Sequence, residues 1–466
     1  MKRTVVFLLI ISLLFFTGCN KPSAEDYFQS AEAYLAKKDY LKAAADYVRA
    51  YQTDKEMIDA YLGAMQMYRE LGIEFRYYEC IEELIANNSE NPEAYIIAAE
   101  KYIKETNLDK AIEICLRQIE TIPTASDGYK LISKLYYNKK DLDNALYYST
   151  LLMDLFPDDI DGYSYTLEYL LAKNQNSQAK KIAIEINSKF PEDTLGYLYH
   201  SYLLYLEGKY EEAEKIASKS PDQSDLRIVS VHLMIKAKSV ITFTDPAFES
   251  AMREYLHRET GDILLEDTFN IQTIEIIGGE KPKMIFDGDP FSLETAVEVL
   301  DDLIYFEYIY SFSIRIHDLK DFSPIASFKD LYSLSLISTN VTDISFVKEL
   351  SSLTSLAVTN GILEDLTPIE SLSNLEILDL QYNKIKNLPN FEKLEKLSAV
   401  YLNNNSLSDI SNLSKAISLS SLFLANNPRI TDVEALRSLT NLTSLSLSGC
   451  SVTNLAPIEH VANLTV

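Results

Sequence analysis

The stretch LTSLSLSGCSVTNLAPIEHVANL, residues 442–464, sets the reading of the C-terminal part of the chain. Leu442, Leu445 and Leu447 carry the alternation of a half-buried strand, and Val452, Leu455, Ile458 and Val461 continue the apolar spacing until Leu464 restarts it. The same pattern holds at Leu375, Leu378, Leu380, Asn383, Ile385, Leu388, Phe391 and Leu394. It returns at Leu397, Val400, Leu402, Asn405, Leu407, Ile410, Leu413 and Ala416. Working outward, Ile309, Leu331, Leu353, Leu375, Leu397 and Leu419 lie 22 residues apart, Leu442 follows after 23 and Leu464 after 22. Such a period means stacked coils, each placing its apolar positions in one shared core.

This pattern, L-x-x-L-x-L-x-x-N-x-I/L, resembles the leucine-rich repeat in its bacterial 22-residue form, as in internalin-like surface proteins. The resemblance implies one parallel strand per coil and a concave sheet. The Asn of the turn, at Asn383, Asn405 and Asn427, satisfies buried backbone groups with its amide. Cys450 takes that slot as a small buried hydrophobe, and His317, Thr339 and Gly361 interrupt the Asn series earlier. Side chains between the leucines line the concave face. Most are small: Ser311, Ser313, Ser333, Ser335, Ser355, Ala357, Ser444 and Ser446. The middle coils differ, with Asp379, Gln381, Tyr382, Tyr401, Asn403, Asn404 and Phe423. Aromatics beside polar groups on a rigid sheet form a candidate partner-binding patch, unless Tyr401 and Phe423 merely stack on each other.

A second period precedes this one. Tyr27, Tyr61, Tyr95, Tyr129, Tyr163 and Tyr197 lie 34 residues apart. Ala43, Ala111, Ala145, Ala179 and Ala213 repeat in the same frame, with Tyr77 in the second slot, and Pro123, Pro157 and Pro191 close three units. The small Ala permits close helix packing, the Tyr fills the gap between neighbours, and the Pro stops a helix. The pattern resembles the tetratricopeptide repeat, a helix–turn–helix, in six units starting at 24, 58, 92, 126, 160 and 194. The segment 225–239 reads as one more helix that caps the stack. The resemblance implies an inner groove lined by the first helices, with Glu32, Gln66, Glu100, Lys130, Lys134, Glu168 and Tyr202 as candidate partner-binding residues. The groove is acidic with apolar patches, apart from the two lysines. It lacks the Lys, Arg and Asn set with which such repeats grip a C-terminal carboxylate. Basic or amphipathic peptide segments suit it better.

The first residues read as an address. Lys2 and Arg3 precede an apolar run from Val5 to Phe16, broken only by Ser12 and too short to span a bilayer. It ends in Phe16-Thr17-Gly18-Cys19, which resembles the bacterial lipobox, with Phe16 in place of the usual Leu. The resemblance implies cleavage before Cys19, acylation of its thiol, and a protein tethered to the cell membrane or outer membrane on the side away from the cytoplasm.

The expected organisation is a lipoprotein signal peptide at 1–18, a lipidated linker at 19–23, six helical repeats plus a capping helix at 24–239, a cap with an irregular insertion at 240–308, and leucine-rich repeats at 309–466. The fold class is multidomain: an all-α superhelix (an α-solenoid), then a solenoid with a parallel β-sheet. In the cap, a helix is expected after Asp245-Pro246, a strand around Ile271, Ile274 and Ile276, and a further helix from Ser292 to Leu303. The chain ends at Val466, just inside a new strand whose open edge would invite pairing.

Composition agrees with packed repeats: 466 residues, 47% hydrophobic and 24% charged, with Gly 13 and Pro 14. A net charge of −26 argues against nucleic acid as a partner. Four cysteines are too few for a disulfide scaffold. Cys80 and Cys115 read as free buried thiols, with pairing between them the alternative. No HExxH, CxxC, GxSxG, GxxxxGK[ST] or GxGxxG motif occurs, so no metal, cofactor or catalytic centre is expected. The expected function is non-catalytic binding of protein or peptide partners from a lipid-anchored envelope or surface protein. The alternative is an envelope assembly scaffold on the periplasmic side; an enzyme acting on glycans or peptides is the remote one.

Overall fold

The computed structural model describes residues 21–461 and 464, so Cys19 and the terminal Val466 lie outside the described residues. The chain divides into two compact units, Met1–His232 and Leu233–Val466. The first is an α-solenoid and the second a leucine-rich-repeat solenoid with a largely parallel sheet.

Six helical hairpins follow the 34-residue frame. They are α1 (Ala24–Ala36) with α2 (Tyr40–Thr53), α3 (Ile58–Glu70) with α4 (Glu74–Asn87), and α5 (Pro92–Lys104) with α6 (Leu108–Thr121). Then come α7 (Ser126–Asn138) with α8 (Leu142–Leu155), α9 (Ile160–Ala172) with α10 (Asn176–Lys189), and α11 (Thr194–Leu206) with α12 (Tyr210–Ala217). Each first helix ends on a left-handed residue in the same frame: Lys38, Gly72, Thr106, Lys140, Asn174 and Gly208. That reversal frees the chain for the next helix. Asp39, Asn107 and Asp141 then accept backbone N–H groups that a helix start leaves unpaired. Ala43, Ala111, Ala145, Ala179 and Ala213 are fully buried, and Tyr61, Tyr95, Tyr129 and Tyr163 fill the core. Tyr51 of the first hairpin stacks on Tyr61 of the second at 4.0 Å between ring centroids. The helix α13 (Leu226–Ala237) follows, and the division between the units falls within it.

Cys80 and Cys115 are free and buried. Burial pushes the Cys80 thiol up to about 11 and the Cys115 thiol up to about 12. Because only the thiolate attacks, iodoacetamide at pH 8 is expected to leave both unmodified in the folded chain and to label both in denaturant. Mass spectrometry of the tryptic peptides reads this directly; labelling of either in the native chain would contradict the packing.

In the second unit, α14 (Pro246–Tyr255) begins after Asp245, as the sequence predicts. Ten strands then form one sheet: β1 (Thr273–Ile277), β2 (Lys283–Phe286), β3 (Asp289–Ser292), β4 (Ser311–Arg315), β5 (Ser333–Ile337), β6 (Ser355–Thr359), β7 (Ile377–Asp379), β8 (Ala399–Tyr401), β9 (Ser421–Phe423) and β10 (Ser444–Ser446). Their order is β10-β9-β8-β7-β6-β5-β4-β1-β2-β3. From β1 through β4 to β10 all pairings are parallel and in register, so equivalent residues of successive coils are neighbours.

Two expectations for the region 280–308 are corrected. The insertion is not irregular: β2 and β3, which fall in sequence between the directly paired β1 and β4, form an antiparallel hairpin that extends the sheet beside β1. Pro290, in the outer strand, withholds one N–H from the edge. The helix expected from Ser292 to Leu303 is absent; a short 3₁₀ turn, Asp301–Tyr305, stands at its end. The reason is local. The N–H groups of Glu298 and Val299 donate to the buried Asp245 carboxylate at 2.6 and 3.0 Å, so they are not available to helical carbonyls. The period also begins earlier than expected: Leu303, Phe306 and Ile309 are buried one period before Ile325, Phe328 and Leu331.

Between strands most coils carry a 3₁₀ turn opened by an Asp or Asn, such as Asp321, Asp343, Asp365 and Asp409, which accepts the N–H two residues on. Each coil also passes through one left-handed residue: Ile316, Ser338, Asn360, Tyr382, Asn404, Asn426 and Gly449. Asn and Gly tolerate this backbone; branched Ile316, at φ 50°, does not. Its side chain is 62% exposed, so little burial is lost on replacement. Ile316→Asn is expected to stabilise the unit by about 1 kcal/mol, read as a rise in the thermal midpoint. A fall would mean that the isoleucine side chain contributes more than its backbone strain costs.

Candidate interaction surfaces

The strand unit presents its small outward residues as the sequence predicts. In β4, β5 and β6 alternate residues point into the core, and Ser311, Ser313, Ser333, Ser335, Ser355 and Ala357 are half-buried on the opposite face. The turn Asn residues hold the coils together beneath it. Asn383, Asn405 and Asn427 each donate to carbonyls of their own and the preceding coil and accept one backbone N–H. Cys450 keeps part of this role: its Sγ donates to the Leu424 carbonyl at 3.2 Å, so it is more than a hydrophobic filler.

Three predicted residues, Asp379, Gln381 and Asn403, are linked, and the backbone of Ala425 extends the chain to a third coil. The Asn403 Nδ2 donates to Gln381 Oε1 at 2.8 Å, and Gln381 Nε2 donates to both carboxylate oxygens of Asp379 at 3.1 and 3.2 Å. The Asn403 Oδ1 accepts the Ala425 N–H at 2.8 Å. The donors thus all run toward Asp379 and fix its carboxylate. Tyr401 and Phe423 do stack, with centroids 5.0 Å apart and ring planes 8° from parallel, and both remain half-exposed. Asp379, Tyr401 and Phe423 occupy one register row of β7, β8 and β9. Tyr382 stands beside them, 55% exposed on a left-handed backbone where three other coils use Asn and one uses Gly.

Sequence reasoning missed a second exposed group on this unit. Tyr308, Tyr310 and Tyr332 are 52%, 44% and 53% exposed near the entry to the first repeat strands. The signal was present, since Tyr310 and Tyr332 are one period apart immediately before their strands.

In the helical unit, Glu32, Gln66, Glu100, Lys134, Glu168 and Tyr202 recur on the first helices of successive hairpins, all exposed except half-buried Tyr202. Glu32 accepts from the Tyr47 hydroxyl. One expectation needs correction. Lys130 is not an open positive charge in the groove: it pairs with Asp159 and Asp161 at 2.7 Å each. Burial disfavours its ammonium, but the two carboxylates outweigh that and hold its pKa above the ordinary lysine value. Lys134 lies 4.6 Å above the Tyr165 ring, and Tyr137 stacks on Tyr169 at 4.7 Å. This end of the row is therefore an aromatic surface whose one basic pair is half neutralised.

Among the described residues, no cluster of three or more His, Cys, Asp or Glu could hold a metal ion, and no helix is long and apolar enough to cross a membrane.

Comparison with known proteins follows the two units. The family "Leucine Rich repeats (2 copies)" matches residues 373–415 and 417–460. No match was found among curated proteins. Among solved structures, the chain is similar to an internalin C2 of Listeria monocytogenes, at 21% identity over 48% of this chain and 92% of that one, with a TM-score of 0.40. A leucine-rich-repeat protein of Leptospira interrogans is similar at 21% identity over 36% of this chain and 50% of that one, TM-score 0.31. A tetratricopeptide repeat protein of Parabacteroides merdae is similar at 13% identity over 46% of this chain and 85% of that one, TM-score 0.30. Leucine-rich-repeat folds like that of the second unit generally serve as protein-interaction scaffolds.

Proposed function

We propose that the chain is a lipid-anchored envelope or surface protein that binds protein partners without catalysis, through the concave strand face and the inner row of its helical hairpins. The observation that carries this reading is the row Asp379, Tyr401 and Phe423: two stacked, half-exposed rings beside an oriented carboxylate on a rigid sheet. Interfaces concentrate binding energy on such aromatic anchors. The anchoring part rests on the sequence Phe16-Thr17-Gly18-Cys19.

The test is capture from envelope and host-surface extracts by the chain from Asn20 onward, compared with its Phe423→Ser variant. A partner retained by the first and lost at least tenfold by the second is the expected result. Retention of nothing, or equal retention by both, would sink the role given to this face. Protease shaving of intact cells tests location: removal of the strand unit supports surface display, and protection moves the protein to the inner side of the envelope.

A further inference from the structure

The concave row is asymmetric, and the asymmetry points to what it accepts. The two rings face each other at 5.0 Å, close to the spacing of about 4.8 Å between neighbouring strands. The stack therefore runs across the strands from β8 to β9. The outer face of Phe423 looks toward Ser446 of β10, a small residue. The outer face of Tyr401 looks toward β7, where Asp379 is its register partner.

Asp379 is half-buried, and no lysine or arginine pairs with it among the described residues. Of the other strand charges on this face, Arg315 Nε lies 2.7 Å from Glu275, and Lys283 stands on the hairpin strand β2, with four strands between it and β7. Gln381 supplies two donors to Asp379 Oδ1, its backbone N–H and its Nε2, and one longer contact to Oδ2. A carboxylate offers about four lone-pair sites, so capacity remains on Oδ2. A negative charge held in place beside a partly exposed aromatic ring is the complement of a planar cation.

We propose that Asp379 and Tyr401 form a receptor for one arginine side chain of a protein partner. The guanidinium lies against the exposed part of the Tyr401 ring and donates to the Asp379 carboxylate. Arginine fits better than lysine because its flat, weakly hydrated cation can stack and hydrogen-bond at once. The chain of donors from the Ala425 N–H through Asn403 and Gln381 keeps the carboxylate turned in position. This assignment rests on the reading of the concave face as a partner-binding surface and adds the chemistry of the partner.

The probes are two short synthetic peptides that differ only at the centre, arginine in one and glutamine in the other, titrated into the purified full-length chain by fluorescence anisotropy. The arginine peptide should bind about tenfold tighter, with the margin shrinking as salt is added. Asp379→Asn, which keeps the size of the side chain and one oxygen to accept from Gln381, should erase the margin. Tyr401→Leu should reduce it, and Glu376→Gln on the exposed flank should leave it intact. Unchanged thermal melts establish that the variants fold. Equal affinity for both peptides, no binding of either at millimolar concentration, or a margin that survives Asp379→Asn each overturns the assignment. A captured partner sensitive to Phe423→Ser but indifferent to Asp379→Asn would overturn the arginine site alone and leave the interaction face standing.

Discussion

Asn427→Leu should destabilise the strand unit by about 3–5 kcal/mol, although the replacement is apolar and similar in size. Asn427 is fully buried. Its Nδ2 donates to the carbonyls of Leu402 at 2.9 Å and Leu424 at 2.8 Å, and its Oδ1 accepts the Leu407 N–H at 3.1 Å. Leucine leaves the Leu407 N–H dry and unpaired and takes one donor from each carbonyl, so that Leu402 keeps only the Asn405 amide and Leu424 only the Cys450 thiol. The Leu407 amide should then exchange with solvent markedly faster than in the parent chain, which hydrogen exchange resolves without requiring the two units to melt together. Asn427→Cys should cost less, because Cys450 in the same slot still donates to the preceding coil. A loss below about 1 kcal/mol for the leucine variant would mean that the coils do not depend on this amide.

The second large effect belongs to the cap. Asp245 is 2% exposed and accepts the N–H groups of Ala247, Glu298 and Val299 at 2.8, 2.6 and 3.0 Å. One carboxylate thereby starts α14 and ties it to the segment entering the first coil. Asp245→Ala should cost about 3–5 kcal/mol, since hydrogen bonds to a charged group are the stronger kind and none of the three donors has a substitute. The expected observation is loss of protection at Glu298 and Val299 before the later coils open.

Asp302, also 2% exposed, accepts from the backbone of Thr244 and Asp245 at 2.7 and 2.8 Å. Burial raises its pKa above the ordinary 3.8, with the nearby Asp245 charge adding to the rise. A raised pKa means that the folded state holds the proton more tightly than the unfolded one, so this group adds stability as pH falls from its folded value toward 3.8. Asparagine does not titrate. The stability gap between the parent chain and Asp302→Asn should therefore widen on acidification, measured as paired melts from pH 7 down to pH 4. A gap that narrows would reverse the assignment.

The repeats were legible because they are written many times. A Tyr and an Ala every 34 positions and a Leu every 22 leave one arrangement that buries all the marked residues together. Where the chain departs from its period, the reading weakened. The stretch 292–303 has helix-compatible residues, yet Asp245, far away in sequence, takes the N–H groups that a helix would use. Lys130 looked like an open cation because nothing local reveals that Asp159 and Asp161 of the next hairpin converge on it.

The candidate site divides the same way. Asp379, Gln381, Tyr401, Asn403 and Phe423 could be assigned to the concave face from their place between leucines, because strand alternation sends every second side chain outward. Their linkage could not. That Asn403 and Gln381 pass their donors toward Asp379, and that the rings stack and leave one Tyr401 face turned to the carboxylate, follow from parallel pairing in register. Sequence alone determined the two periods, the face on which each residue stands and the acidity of the chain, since these depend only on local geometry and composition. Tertiary structure decided which charges are cancelled, which carboxylates are buried and which remains open, because charge pairing depends on distances that only the stacking of coils and hairpins sets.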